Sequence, residues 1–246
     1  MLGLIGLGLV GSALVERFRD KGFEIAGYDI DTEKIKALEG EGFTACKSPA
    51  EVADRARRVV LSLPDSHIVN EVVTGPNGIL SHSSPGEVII DTTTADPRMS
   101  VQLAKRLDRR SIRFLDATIL GSSKQVRESD VLVMVGGTLP VLGLCTDIFD
   151  AFALQTFHMG PSGKGAEAKL VVNLVLGLNR LALAEGLVLA QKTGVDIDVL
   201  LEVFKKGGAY SRVMDTKGEK MINSDFTVQS HLDQHLKDVE LVLELG

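Results

Sequence analysis

Lys169 and Asn173 stand four residues apart in a strongly helical pattern, so an amine and a carboxamide share one face near the start of a helix. A lysine held against an apolar wall has its charged form disfavoured and can exchange protons near neutral pH. An amide beside it can fix a hydroxyl or a carboxylate. The plainer alternative is that Lys169 snorkels to solvent and Asn173 is a tolerated polar residue on a helix. A second group of residues is suited to anions. Gly6-Leu7-Gly8-Leu9-Val10-Gly11 follows an apolar run and opens a helical pattern, and further on the acid Asp29 closes a second strand-like run. Gly6 permits a tight turn, Gly8 lets the backbone approach a pyrophosphate, and Gly11 lets the helix pack close to the strand. The first free N–H groups of that helix then face phosphates. A carboxylate at Asp29 accepts hydrogen bonds from a ribose 2′-hydroxyl and repels a 2′-phosphate, and Ile30, Asp31 and Thr32 add no cation, so NAD is favoured over NADP.

Further candidates lie at strand ends. Leu120, Gly121, Ser122 and Ser123 form a turn whose N–H groups and hydroxyls could hold an anion, or whose serines could cap a helix. Thr94 could touch the nicotinamide half of a dinucleotide or cap the next helix. Leu63-Pro64 could flank the adenosine ribose or simply end a strand. Lys237 could reach into a cleft or form a solvated pair with Asp238. His231 and His235 have helical spacing but lack a third ligand, so no metal site is expected.

The elements that must carry these residues follow from periodicity. Strands are expected at 2–5, 24–28, 59–63, 88–91, 114–116 and 131–135. Helices are expected at 11–21, 33–40 and 97–109, with a further helix start at Ser48-Pro49-Ala50-Glu51. This alternation predicts an α/β fold, a mostly parallel sheet covered on both faces. Near residue 160 the strand signals stop at a glycine-rich, linker-like stretch. One long helix over 166–193, apolar on most faces, suggests burial among other helices. More helices are expected at 196–205, 211–221 and 230–245. The expected organisation is an N-terminal Rossmann dinucleotide-binding domain over 1–160. An all-helical substrate or dimerisation domain follows over 161–246 and looks short at its C-terminus.

Composition narrows the partners. The net charge of −6 gives no basic footprint and aromatics are only 4% of the chain, which argues against nucleic acid. The apolar run 170–178 is interrupted by Asn173 and reads as too short and too polar to span a bilayer. Two cysteines without ligand spacing, and a first strand starting at Met1, suggest a reduced, cytoplasmic setting. The long apolar helix and the short C-terminus suggest a homodimer or higher homo-oligomer.

Several motifs in one order resemble the β-hydroxyacid dehydrogenase family, whose members include 3-hydroxyisobutyrate dehydrogenase, tartronate semialdehyde reductase and, more distantly, 6-phosphogluconate dehydrogenase. The opening motif is similar to Gly3 through Gly11, and the strand-end Leu-Pro to Leu63-Pro64. The Asp-x-Ser-Thr-x-x-Pro motif resembles Asp91 through Thr94 to Pro97. The Gly-x-x-Gly-x-Gly-x-x-x-Lys-x-x-x-Asn motif resembles Gly160 through Lys169 to Asn173, and the late Lys-Asp resembles Lys237-Asp238. The resemblance implies an NAD-dependent oxidoreductase that interconverts a small 3-hydroxy acid and its semialdehyde or keto acid. It implies Lys169 as the catalytic lysine, Asn173 as its substrate-orienting partner, and Thr94 and Lys237 lining the nicotinamide and substrate cleft. The family loop Asp-Ala-Pro-Val-Ser-Gly-Gly is here Asp116-Ala117-Thr118-Ile119-Leu120-Gly121-Ser122, so the substrate-holding set differs. The family's paired asparagines are Val172 and Asn173. Two alternatives are a non-catalytic nucleotide-binding scaffold and an imine reductase; the retained Lys169 argues against both.

Overall fold

The computed structural model describes residues 1–227 and 232–246, the side chains of 232–235 excepted. The described residues form two compact units, Met1–Lys169 and Leu170–Gly246.

The first unit is built on one eight-stranded sheet. Its strands are β1 (Leu2–Ile5), β2 (Ile25–Tyr28), β3 (Phe43–Ala45), β4 (Arg58–Leu61), β5 (Val88–Asp91), β6 (Arg113–Leu120), β7 (Leu132–Gly136) and β8 (Gln155–Gly160). The helices between them are α1 (Leu9–Asp20), α2 (Thr32–Leu38), α3 (Pro49–Arg55), α4 (Ser66–Thr74), α5 (Pro97–Asp108), α6 (Ser123–Arg127), α7 (Leu139–Gly143) and α8 (Thr146–Asp150). The strand order is β3-β2-β1-β4-β5-β6-β7-β8. Every pair is parallel except β6 with β7, which is antiparallel over Asp116 to Leu120. This is the mostly parallel, helix-covered sheet that alternating apolar runs require. Successive residues face opposite sides. Leu4, Val60, Ile90 and Leu115 enter one buried cluster, while Ile5, Val59, Ile89 and Phe114 enter the other. Each such side chain contributes about 1.5–3 kcal/mol on burial.

Several features differ from expectation. β3 and β8 are edge strands without a clear apolar alternation. α4, α6, α7 and α8 are additional. β6 runs on to Leu120, which is therefore strand and not turn. The supposed linker hardly exists, since β8 ends at Gly160 and α9 (Lys164–Thr193) starts almost at once.

α9 begins in the first unit and continues in the second, which also holds α10 (Ile197–Lys206), α11 (Arg212–Ile222) and α12 (Leu232–Leu245). Leu183 and Leu187 pack with Leu201, Val213 and Met214 as its core. The rest of α9 departs from the sequence reading. Val171, Leu174, Val175, Leu178, Leu181 and Leu189 are exposed, so within this chain the helix is not buried all round. By length and composition α9 is long and apolar enough to cross a membrane. The helical stretch extends well beyond 170–178, over the whole of Lys164–Thr193.

Candidate active site

At β1 the strand order reverses, because β1 lies between β2 and β4. Ligands of open α/β sheets bind beyond the carboxyl ends of strands at such a switch point. The loop Gly6 to Gly11 leaves β1 there. Gly6 has φ +92°, and a Cβ on it would come within 2.2 Å of the Ser62 carbonyl oxygen. A Cβ on Gly11 would come within 1.9 Å of the Gly6 carbonyl oxygen, so α1 lies against the turn with no room for a methyl group. Gly8 differs: nothing lies within 4 Å of its Cβ position. Leu7 is buried in the core, Val10 packs against it, and Leu9 is exposed.

Gly8 is also the N-cap of α1, and it offers no side-chain acceptor; the first turn carries no acid. By contrast, Asp31, Ser48, Asp65 and Asp96 cap α2 to α5 with side-chain oxygens. The N-terminal N–H groups of α1 therefore present an uncapped, partly positive end to the open side of Gly8. Asp29 stands beside it. Its Oδ2 accepts the Leu7 N–H at 2.6 Å, its Oδ1 accepts the Asp31 N–H at 2.9 Å, and Lys34 Nζ lies 3.6 Å from Oδ1. Open space over a glycine, an uncapped helix end and an adjacent carboxylate fit a dinucleotide, with diphosphate at the first two and ribose hydroxyls at the third. Leu63 borders the same loop, its Cδ2 3.0 Å from the Gly6 Cβ position, and its N–H donates to Thr93 Oγ1 at 3.2 Å. Pro64 follows it. Thr94 is half-buried in the loop after β5, where Asp96 and not Thr94 caps α5.

Lys169 is 9% exposed, and its Nζ donates to the Ile119 carbonyl oxygen at 2.7 Å. It does not snorkel to solvent. The residues that hold it come from β6. Asp116, 1% exposed, accepts the Gly163 N–H on Oδ1 at 2.8 Å and the Ala166 N–H on Oδ2 at 2.9 Å, and so caps α9. Burial pushes the Asp116 carboxyl above the usual carboxylate range, and the backbone N–H groups oppose that rise. Two residues along the strand, on the same face, the Thr118 hydroxyl donates to the Gly165 carbonyl oxygen at 3.0 Å. A Cβ on Gly165 would come within 2.4 Å of the Asp116 carbonyl oxygen, so α9 touches the strand backbone here. In sequence Asp116 reads only as a strand end and Thr118 only as a departure from the motif that the loop resembles. The available signal was two polar residues at i and i+2 within an apolar strand.

Leu120 is the last residue of β6, Gly121 turns the chain with φ +150°, and Ser123 begins α6. Ser122 is the N-cap in a capping box: its Oγ accepts the Gln125 N–H at 3.3 Å and its own N–H donates to Gln125 Oε1 at 3.0 Å. Of the two uses left open for Ser122, the cap occupies both its hydroxyl and its N–H.

In the second unit Asn173 is buried, and its Nδ2 donates to Asp238 Oδ2 at 2.8 Å. Lys237 Nζ lies 3.5 Å from Asp238 Oδ1. Asp238, which the sequence suggested only as a charge partner of Lys237, is thus the partner of Asn173. No metal-binding group occurs among the described residues. His231 and the His235 side chain lie outside the description. Burial pushes the Cys46 and Cys145 thiols up to about 11, which makes both poor nucleophiles.

Residues 1–160 match the family described as the NAD binding domain of 6-phosphogluconate dehydrogenase. Residues 163–246 match the one described as NAD-binding of NADP-dependent 3-hydroxyisobutyrate dehydrogenase. The chain is 32% identical over its full length to 2-(hydroxymethyl)glutarate dehydrogenase of Eubacterium barkeri, covering 82% of that protein. It is 29% identical over its full length to glyoxylate/succinic semialdehyde reductase 1 of Arabidopsis thaliana, covering 85% of it. In fold it is similar to Mycobacterium tuberculosis 3-hydroxyisobutyrate dehydrogenase with L-serine. That match has a TM-score of 0.91 and 23% identity, and covers 99% of this chain and 85% of the other.

Proposed function

This chain belongs to the β-hydroxyacid dehydrogenase family of NAD(P)-dependent oxidoreductases, and on that premise we propose that it interconverts a small 3-hydroxy acid and its semialdehyde or keto acid. The observation that carries the reading is Lys169, an amine withdrawn from solvent and bonded at 2.7 Å to the Ile119 carbonyl oxygen. In the reducing direction its ammonium gives a proton to the substrate carbonyl oxygen; in the oxidising direction the neutral amine takes the hydroxyl proton back. Asn173 orients the substrate hydroxyl. A nicotinamide coenzyme would supply the hydride chemistry there. Gly6 to Gly11 would hold its diphosphate and Asp29 its ribose, with Leu63 and Pro64 alongside and Thr94 and Lys237 on the nicotinamide side. NAD is the preferred form, because Asp29 favours a free 2′-hydroxyl. Leu120 to Ser123 border the acid end of the substrate. We also take the working form to be a homodimer or larger homo-oligomer, a reading supported by the exposed apolar side chains of α9, and its setting to be cytoplasmic.

The names of the relatives supply a panel: 2-(hydroxymethyl)glutarate, glyoxylate, succinic semialdehyde, 3-hydroxyisobutyrate and L-serine. Turnover is followed as NADH and NADPH absorbance. Lys169→Ala removes activity by about 10²–10⁴-fold and leaves NADH binding nearly intact. Equal loss of both overturns the proton role, and no turnover across the panel favours a non-catalytic nucleotide-binding protein. A monomeric mass by analytical ultracentrifugation overturns the oligomer.

A further inference from the structure

Lys169 is tied at both ends to one strand. In α-helical register the carbonyl of Gly165 accepts the backbone N–H of Lys169, and that same oxygen receives the Thr118 hydroxyl at 3.0 Å. At the other end, Lys169 Nζ donates to the carbonyl of Ile119, the residue after Thr118, at 2.7 Å. Asp116 adds a third tie through the N–H groups of Gly163 and Ala166. Thr118 is 0% exposed, so water does not compete for its hydroxyl. The family motif that this loop resembles has proline at this place, which carries no hydroxyl and could not make the tie.

We infer that Thr118 is a positioning residue: by bonding Gly165 it fixes the first turn of α9 against β6 and so sets where the Lys169 amine stands. The inference rests on the reading of Lys169 as the proton carrier only for its effect on rate, not for the geometry. A β-branched residue of the same volume without the hydroxyl leaves the turn packed and still capped by Asp116, but frees the Gly165 carbonyl from the strand. The helix then shifts by fractions of an ångström, and the amine with it. Proton transfer is sensitive to such shifts, since misplacement by about 1 Å can cost about 10²-fold.

The test uses Thr118→Val, with Thr118→Ser as the conservative rescue. Trace acetylation with acetic anhydride and peptide mass spectrometry reads the reactivity of Lys169 against exposed Lys105 as internal reference. Thr118→Val raises the relative labelling of Lys169 about three- to tenfold, the ratio expected for loss of one buried hydrogen bond, and Thr118→Ser labels like the parent. Labelling unchanged in Thr118→Val overturns the inference. If Thr118→Val does not fold, Asp116→Asn, which can accept only one of the two N–H groups, is read in the same way, and unchanged labelling there also overturns it. In the NADH-linked assay Thr118→Val lowers kcat about tenfold with KM little changed. Labelling that rises while kcat stays constant leaves the tie standing and removes the proton role of Lys169 instead.

Discussion

The Asp29 carboxylate accepts the Leu7 N–H at 2.6 Å and thereby joins the end of β2 to the glycine loop that leaves β1. One side chain thus shapes the loop and presents negative charge beside it. Its second oxygen is bonded to the Asp31 N–H at 2.9 Å and approached by Lys34 at 3.6 Å, so its orientation is determined on both sides.

Asp29→Asn keeps an acceptor for Leu7 and removes the charge. The preference for NADH over NADPH in kcat/KM then falls by at least about tenfold, in line with about 1.5–3 kcal/mol for a hydrogen bond to a charged group. Parallel assays with the two coenzymes measure it, and an unchanged ratio would mean that Asp29 does not discriminate between them.

Gly8 and Gly11 separate ligand from fold. Nothing stands within 4 Å of a Gly8 Cβ, whereas a Gly11 Cβ meets the Gly6 carbonyl at 1.9 Å. Gly8→Ala therefore melts like the parent and binds NADH at least about tenfold more weakly. Gly11→Ala loses stability by about 1–3 kcal/mol or more from overpacking. Thermal melts and fluorescence titration distinguish the two, and normal NADH binding by Gly8→Ala would sink the assignment of the phosphate site.

Stability should fall in acid through Asp147. Arg58 grips both of its oxygens at 2.6 and 2.8 Å and also donates to the Leu144 carbonyl oxygen at 3.1 Å, joining β4 to α8. The Arg58 guanidinium holds the Asp147 carboxyl below its ordinary value of 3.8. A carboxyl whose pKa is depressed by folding adds stability that is complete above the unfolded value and is lost as the pH falls through the folded one. Asp147→Asn is therefore less stable than the parent near neutrality, and the gap narrows as the pH falls below 3.8. Urea unfolding at about pH 7 and about pH 3 reads this out; a gap that does not narrow would refute it.

The inner strands were legible because they are buried on both faces and written as apolar runs: Leu2–Ile5 and Val88–Asp91 appear as expected to the residue. The edge strands were not. Phe43-Thr44-Ala45 and Gln155 to Gly160 each have a single neighbour in the sheet and keep polar or exposed side chains. α6, α7 and α8 are too short for a helical period to emerge. At the candidate site the glycines, Asp29, Lys169 and Asn173 stood out by type and spacing. The ties from Asp116, Thr118 and the Ile119 carbonyl did not, because they join residues 47 to 50 positions apart. A bond to a main-chain carbonyl also leaves no trace in side-chain identity. Asp238 escaped for the same reason of distance, 65 positions from Asn173.

Gly136 on β7 faces the Asp116 oxygens so closely that a methyl group there would stand 2.6 Å from each. The smallest possible replacement, on a strand that holds neither the lysine nor the glycine loop, would dislodge the cap of α9. Sensitivity to substitution in this protein therefore extends along the antiparallel seam of the sheet, well outside any surface a small molecule could touch.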